Sequence, residues 1–223
     1  MSFKKKFSRG PLPDKWLHCP PNGNRLILSK FMPLKTPLSS DFDHQLPAGL
    51  RHYPQDIFRL ARRNKVRIGL WIDLTNTNRY YRREEIQEEG CEYVKIRCKG
   101  HNEAPTESDT QFFISVVHEY IVKAPHQCIA VHCTHGFNRT GFLITAFLVE
   151  QLKIDVGTAL QIFSEARPPG IYKQVYIKEL FRRYGNVENV PRAPSLPKWC
   201  QDLYDHNQKH VSKVITKRKQ TVL

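Results

Sequence analysis

Apolar and polar positions fall along this chain in blocks whose period switches between that of a strand and that of a helix. Pro54 to Asn64 carries Ile57, Phe58 and Leu60 in a short helix that ends in basic residues. Val66–Leu74 is a largely apolar run, suited to a strand buried on both faces. Tyr93–Cys98 predicts a second strand. Thr106-Glu-Ser-Asp109 has the form of a capping box and opens a helix carrying Phe112, Phe113, Val116, Val117 and Tyr120. Cys128–His132 is a further apolar strand; Thr140–Leu152, Val156–Ala166 and Tyr172–Tyr184 read as three helices, the last two separated by Pro168-Pro169. Such alternation predicts an α/β fold with a central, mostly parallel twisted sheet flanked by helices on both faces. Ligands of these sheets sit at the carboxyl ends of strands, where Asp73 and Cys133 fall.

The third strand runs straight into the most informative segment. It ends in His132-Cys133, continues into a short loop with Gly136, and passes through Arg139-Thr140-Gly141 into an apolar helix. Strand, loop and helix N-terminus in that order hold a phosphate on backbone N–H groups. A cysteine opening the loop is a candidate thiolate nucleophile, because positive potential there lowers a thiol pKa. Cys-x5-Arg alone is weak evidence, since Cys19 to Arg25 and Cys91 to Arg97 have the same spacing. The first of these contains two prolines that remove amide donors, and the second alternates like a strand. Only Cys133 to Arg139 has the preceding strand, the loop glycine and the following helix.

Each position there has a chemical role. Cys133 attacks phosphorus, the planar fork of Arg139 clamps equatorial oxygens, and Gly136 lets the backbone approach. The Thr140 hydroxyl can donate to the thiolate and ease its departure from phosphocysteine. His132 reads as a residue orienting the loop rather than as a base. His132, Thr134, His135, Gly136, Phe137 and Asn138 are candidate substrate-binding positions, with loop-shaping left open for His135 and Asn138.

The chain has 223 residues, 40% of them hydrophobic, enough for one domain with tails. Lys and Arg number 35 against 21 acids, for a net charge of +14, which favours polyanions. Much of the excess lies in Lys4, Lys5, Lys6 and Arg9 at one end and in Lys209, Lys213, Lys217, Arg218 and Lys219 at the other. Residues 1–11 are therefore expected to be a flexible basic arm and 12–190 the catalytic domain. Residues 191–223, opening with Pro191-Arg-Ala-Pro-Ser-Leu-Pro197, are expected to be a linker and basic tail. Six cysteines with no Cys-x2-Cys pair argue for a reducing compartment and against a structural zinc. No signal core and no membrane-length apolar stretch is present. The expectation is a soluble intracellular protein without membrane partners, metal or cofactor.

The string His-Cys-Thr-His-Gly-Phe-Asn-Arg-Thr-Gly-Phe-Leu (residues 132–143) resembles the cysteine-phosphatase superfamily, whose signature is His-Cys-x5-Arg-Ser/Thr. More narrowly it resembles the RNA 5′-triphosphatase branch, which includes the N-terminal domain of metazoan mRNA-capping enzymes and related stand-alone RNA phosphatases. Phe31–Leu38, Gly69–Thr77, Ala166–Lys173, Lys178–Tyr184 and Pro197–Cys200 carry the same resemblance, and Arg167-Pro-Pro-Gly170 favours the capping-enzyme side.

The resemblance implies a cysteine-phosphatase fold and metal-independent removal of the γ-phosphate from 5′-triphosphate RNA through phosphocysteine. It also implies a place in the first step of capping, in the nucleus, with a guanylyltransferase in cis or in trans and the RNA polymerase II machinery as partners. A broader RNA tri- and diphosphatase, or a dual-specificity protein phosphatase, is the alternative. Asp73 corresponds to a functional carboxylate of the family, with a loop cap tying the Thr75 or Asn76 amide as the equal alternative. Lys35, Arg79 and Arg167 become candidate contacts for the α- and β-phosphates or the RNA backbone. Lys99-Gly-His-Asn-Glu-Ala-Pro105 lacks the aspartic acid with which many relatives protonate a leaving group, leaving His101 and Glu103 as partial substitutes. A phosphate leaving group with a pKa near roughly 6 needs little protonation, so the gap argues for anhydride cleavage.

Overall fold

The computed structural model describes residues 9–100 and 102–200. Its elements in chain order are β1 (Phe31–Lys35), α1 (Pro54–Arg63), β2 (Ile68–Asp73), α2 (Glu84–Gln87), β3 (Glu92–Lys95), α3 (Glu107–Lys123), β4 (Cys128–Cys133), α4 (Asn138–Leu152), α5 (Val156–Ala166) and α6 (Gln174–Tyr184). The four strands pair in parallel in the order β1-β4-β2-β3. The apolar runs predicted at 66–74 and 128–132 become β2 and β4, the central pair, both buried throughout.

Side chains alternate across the sheet as period two requires. Leu70, Ile72, Ile129 and Val131 join the core under α3, α4, α5 and α6, while Trp71 and Ala130 face α1 and the N-terminal segment. The helix expected after Thr106 forms, and its capping box closes: the Asp109 amide donates to Thr106 Oγ1 at 3.0 Å, and the Thr106 amide donates to Asp109 at 3.2 Å.

Several elements differ from expectation: α2 was not predicted, and α4 starts at Asn138 rather than Thr140. The edge strand β1 was not predicted, because Pro33 breaks the strand signal; a proline missing its ladder donor is tolerated only at such an edge. β3 ends at Lys95 rather than Cys98, where the Cys98 amide turns back to the Ile96 carbonyl at 3.0 Å. α6 starts at Gln174 rather than Tyr172, because the Tyr172 and Lys173 amides donate to Asn138 Oδ1 instead.

Chain beyond the expected boundary at 190 returns to the carboxyl end of the sheet. The Ala193 amide donates to Gln174 Oε1 at 2.7 Å, and Gln174 Nε2 donates to the Pro191 carbonyl. Cys200 is buried with Cys19, Phe137 and Tyr172, and Trp199 packs against that cluster. Of the basic arm, Arg9 pairs with Asp41, while residues 1–8 and 201–223 lie outside the described residues. Because Trp199 contacts Phe137, His135 and Tyr172 at ring-centroid distances of 5.6, 5.3 and 6.2 Å, Trp199→Ala is expected to destabilise the domain. The loss should be about 2 kcal/mol in urea unfolding. An unchanged midpoint would mean that the returning segment is not part of the folded unit.

Candidate active site

β4 delivers Cys133 to the carboxyl edge of the sheet, and α4 begins five residues later at Asn138. The loop between them is drawn tightly against β1. Gly136 has φ +74°, and a Cβ on it would lie 1.9 Å from the Leu34 carbonyl oxygen, so only glycine fits. Its amide donates to Cys133 Sγ at 3.3 Å. Burial by itself pushes the Cys133 thiol up. The Arg139 guanidinium, the Thr140 hydroxyl and the Thr140 and Gly136 amides pull harder, and the thiol ionises below its ordinary range. The Thr140 hydroxyl has no partner other than the sulfur it faces, so it can follow that sulfur through the reaction.

Arg139 is aimed by neutral acceptors. Nη1 donates to the Leu74 and Cys98 carbonyls at 3.1 and 3.0 Å, and Nη2 donates to Thr134 Oγ1 at 2.9 Å. None of these acceptors carries a charge that offsets the guanidinium, which stays available to an anion. Gly100, at φ +79°, lies against this group: a Cβ there would sit 3.3 Å from Arg139 Cζ. Asn138 shapes the loop, since its Oδ1 accepts from two amides of the segment before α6. His135 does so too: its Nε2 lies 2.7 Å from the Asp14 carbonyl, and burial pushes its pKa down to about 4, so the ring is neutral.

Several residues assigned to substrate turn out to support the loop. Lys35, His132, Phe137 and Arg167 are each at most 3% exposed. Arg167 Nη2 donates to the Pro20 and His135 carbonyls at 2.7 and 2.9 Å, with its guanidinium 4.3 Å from the Phe137 ring centroid. Lys35 lies 3.7 Å above the Trp16 ring and donates to the Trp16 carbonyl; burial pushes its pKa down to about 8. These two cations are therefore corrected from phosphate contacts to buttresses. Arg79 alone of the three borders the cavity above the sulfur, where its Nη1 also donates to the Arg9 carbonyl.

Asp73 is likewise removed from direct contact with a substrate. Its Oδ1 accepts from the Thr75 amide and hydroxyl, both at 2.8 Å, and its Oδ2 accepts from Tyr93 and Lys95 at 2.9 and 2.7 Å. Burial pushes this carboxyl up, but His132, the paired Lys95 and the Thr75 amide together pull harder, and it ionises below the usual range. Tyr81 lies 3.2 Å from Asp73 Oδ2 and 2.5 Å from His132 Nε2. His132 is fully buried and held neutral, and its Nδ1, 3.1 Å from the Cys133 carbonyl, is the donor that this network requires. Tyr81 thus donates its one proton to His132 Nε2, the pair holds the backbone of the nucleophile, and Asp73 packs beside Tyr81.

Above Cys133 opens a cavity of about 390 Å³. Arg139, Lys15, Arg79, Lys99 and Lys173 line it, against one carboxylate, that of Asp14, among the described residues. Lys15, Lys99 and Lys173 escaped sequence reasoning, because they come from three distant segments with no shared spacing. Gly100 was the one local signal beside Lys99. Glu103 does not border the cavity but lies 3.8 Å from Lys99, and His101 falls outside the described residues. Larger hollows beside α5 and α6 do not touch the phosphate loop. Among the described residues no group of His, Cys, Asp and Glu is arranged to hold a metal ion, and no helix is long and apolar enough to cross a membrane.

Comparison with known proteins agrees with this geometry. The family described as dual specificity phosphatase, catalytic domain, matches residues 52–186. The chain is 50% identical over 190 residues to an mRNA-capping enzyme of Danio rerio, covering 85% of this chain and 32% of that protein. It is 34% identical over 183 residues to an RNA/RNP complex-1-interacting phosphatase homolog of Caenorhabditis elegans, covering 78% of each. The chain thus spans about a third of the length of the capping enzymes it matches. Among solved structures, Tk-PTP in its active form has the same fold, with a TM-score of 0.54 at 15% identity over 72% of this chain and 93% of that one.

The balance of burial against Arg139 sets a pH dependence. Inactivation by iodoacetamide should have its midpoint below the ordinary thiol value of about 8.5. Arg139→Ala should move that midpoint upward and lower turnover on the order of 10²–10³-fold. An unmoved midpoint would show that Arg139 does not stabilise the thiolate.

Proposed function

Because the chain belongs to the dual-specificity-phosphatase catalytic-domain family, we propose that it removes the γ-phosphate from 5′-triphosphate RNA, the opening step of cap formation. The observation that carries this reading is the cation-lined cavity, which holds far more positive charge than one phosphoryl group requires. Relatives named mRNA-capping enzyme support the same substrate.

The chemistry follows from the loop. Cys133 Sγ attacks the γ-phosphorus, the S–P bond forms, and the bond from phosphorus to the β–γ bridging oxygen breaks. The leaving diphosphate end takes the electron pair. Arg139 and the loop amides hold the equatorial oxygens as charge spreads over them. Water then attacks phosphocysteine, and Thr140 donates to the departing sulfur. A diphosphate leaving group needs little protonation, which suits a cavity whose described lining has only the exposed Asp14 as a carboxylic acid. In this reading the remaining two thirds of the capping relatives' length corresponds to functions supplied to this chain in cis or in trans, a guanylyltransferase among them, with the RNA polymerase II machinery as a nuclear partner.

A second reading, removal of both γ- and β-phosphates, comes from the resemblance of residues 132–143 to the stand-alone RNA phosphatases. RNA labelled separately at the γ- and β-phosphates separates the two. Release of γ label alone, abolished in Cys133→Ser, is the expected outcome. Release of both labels supports the second reading, and release of neither overturns both.

A further inference from the structure

The phosphoryl group that is transferred accounts for Arg139 and the loop amides, but not for the cations higher in the cavity. Lys173 stands out among these. Its amide is held 3.0 Å from Asn138 Oδ1, so its Cα is fixed to the phosphate loop itself. Its side chain lines the cavity that also contains Cys133 and Arg139. Other lysines near the site are matched: Lys95 with Asp73 at 2.7 Å, Lys99 with Glu103 at 3.8 Å, and Lys35 on the Trp16 ring. No carboxylate pairs with Lys173 among the described residues. Instead, partial burial, then Arg139 and Lys15, weaken its hold on a proton, while the Cys133 thiolate strengthens it. An ammonium crowded by other cations in a hollow is stabilised when an anion enters.

In-line attack decides which anion. The γ-phosphoryl group lies between Cys133 Sγ and the leaving oxygen, so the β-phosphate must project away from the sulfur, into the cavity that Lys173 borders. We infer that Lys173 is a specificity-determining residue that binds the β-phosphate of a polyphosphate end and so favours anhydrides over phosphate monoesters. Lys173 donates a hydrogen bond to the leaving group without transferring a proton. This rests on the polyphosphate substrate of the proposed function, but its test does not need RNA.

Calorimetry on the full chain carrying Cys133→Ser, with orthophosphate and inorganic triphosphate as probes, gives a ratio of two dissociation constants. Adding Lys173→Met should shrink the preference for triphosphate about tenfold, as expected for one charge-assisted hydrogen bond. Lys173→Gln should do the same, and Lys173→Arg should restore most of the preference. Lys178→Met, an exposed charge on α6 outside the cavity, should change the ratio by less than about twofold. An unchanged ratio in both Lys173→Met and Lys173→Gln, or an equal loss in Lys178→Met, overturns the inference. If wild-type protein releases no label from triphosphate RNA while the Lys173 ratio still falls, the RNA reading fails and the polyphosphate subsite stands.

Discussion

A sulfur atom in a residue only 4% exposed has to carry a negative charge, and the rest of the site is arranged around that constraint. Burial alone favours the neutral thiol, as it does for Cys19, Cys91 and Cys98, each pushed up to about 12. Cys133 differs because a guanidinium, a hydroxyl and amides converge on it. Those groups converge because only a short loop joins the end of β4 to the start of α4, with a glycine that lets that loop lie against β1. The same donors that stabilise the thiolate stabilise a phosphoryl dianion, so the resting state already has the electrostatics that the reaction needs.

Holding that loop takes more residues than the loop contains. Arg167 binds the His135 carbonyl from one side, and His132, held by Tyr81, holds the Cys133 carbonyl from another. Asn138 ties the loop to the start of α6, and Trp199 covers His135 and Phe137. Buried charge is used for position here: Lys35 and Arg167 are stabilised by an aromatic face and by carbonyl dipoles, leaving Arg139 and the cavity cations to meet the ligand.

The sequence revealed whatever is local along the chain. β2 and β4 are continuous apolar runs, α3 announces itself by its capping box, and Cys133, Arg139 and Thr140 lie together at one strand–helix junction. β1 was hidden by Pro33, whose tolerance depends on the strand lying at an edge, a fact of tertiary pairing. Lys35 and Arg167 were misplaced because a charged side chain is taken as exposed unless a partner is known, and their partners, Trp16, Pro20 and His135, are contributed by other segments. Lys173 was missed for the same reason in reverse: the cavity that gives it meaning is assembled from widely separated stretches.

The most direct test is to trap the covalent state. Acid quenching of a single turnover with γ-labelled triphosphate RNA, followed by peptide mapping, should place the label on the peptide containing Cys133 as an alkali-stable, iodine-labile thiophosphate ester. Label on a histidine, a serine or no residue at all, from protein that turns over normally, would contradict the account.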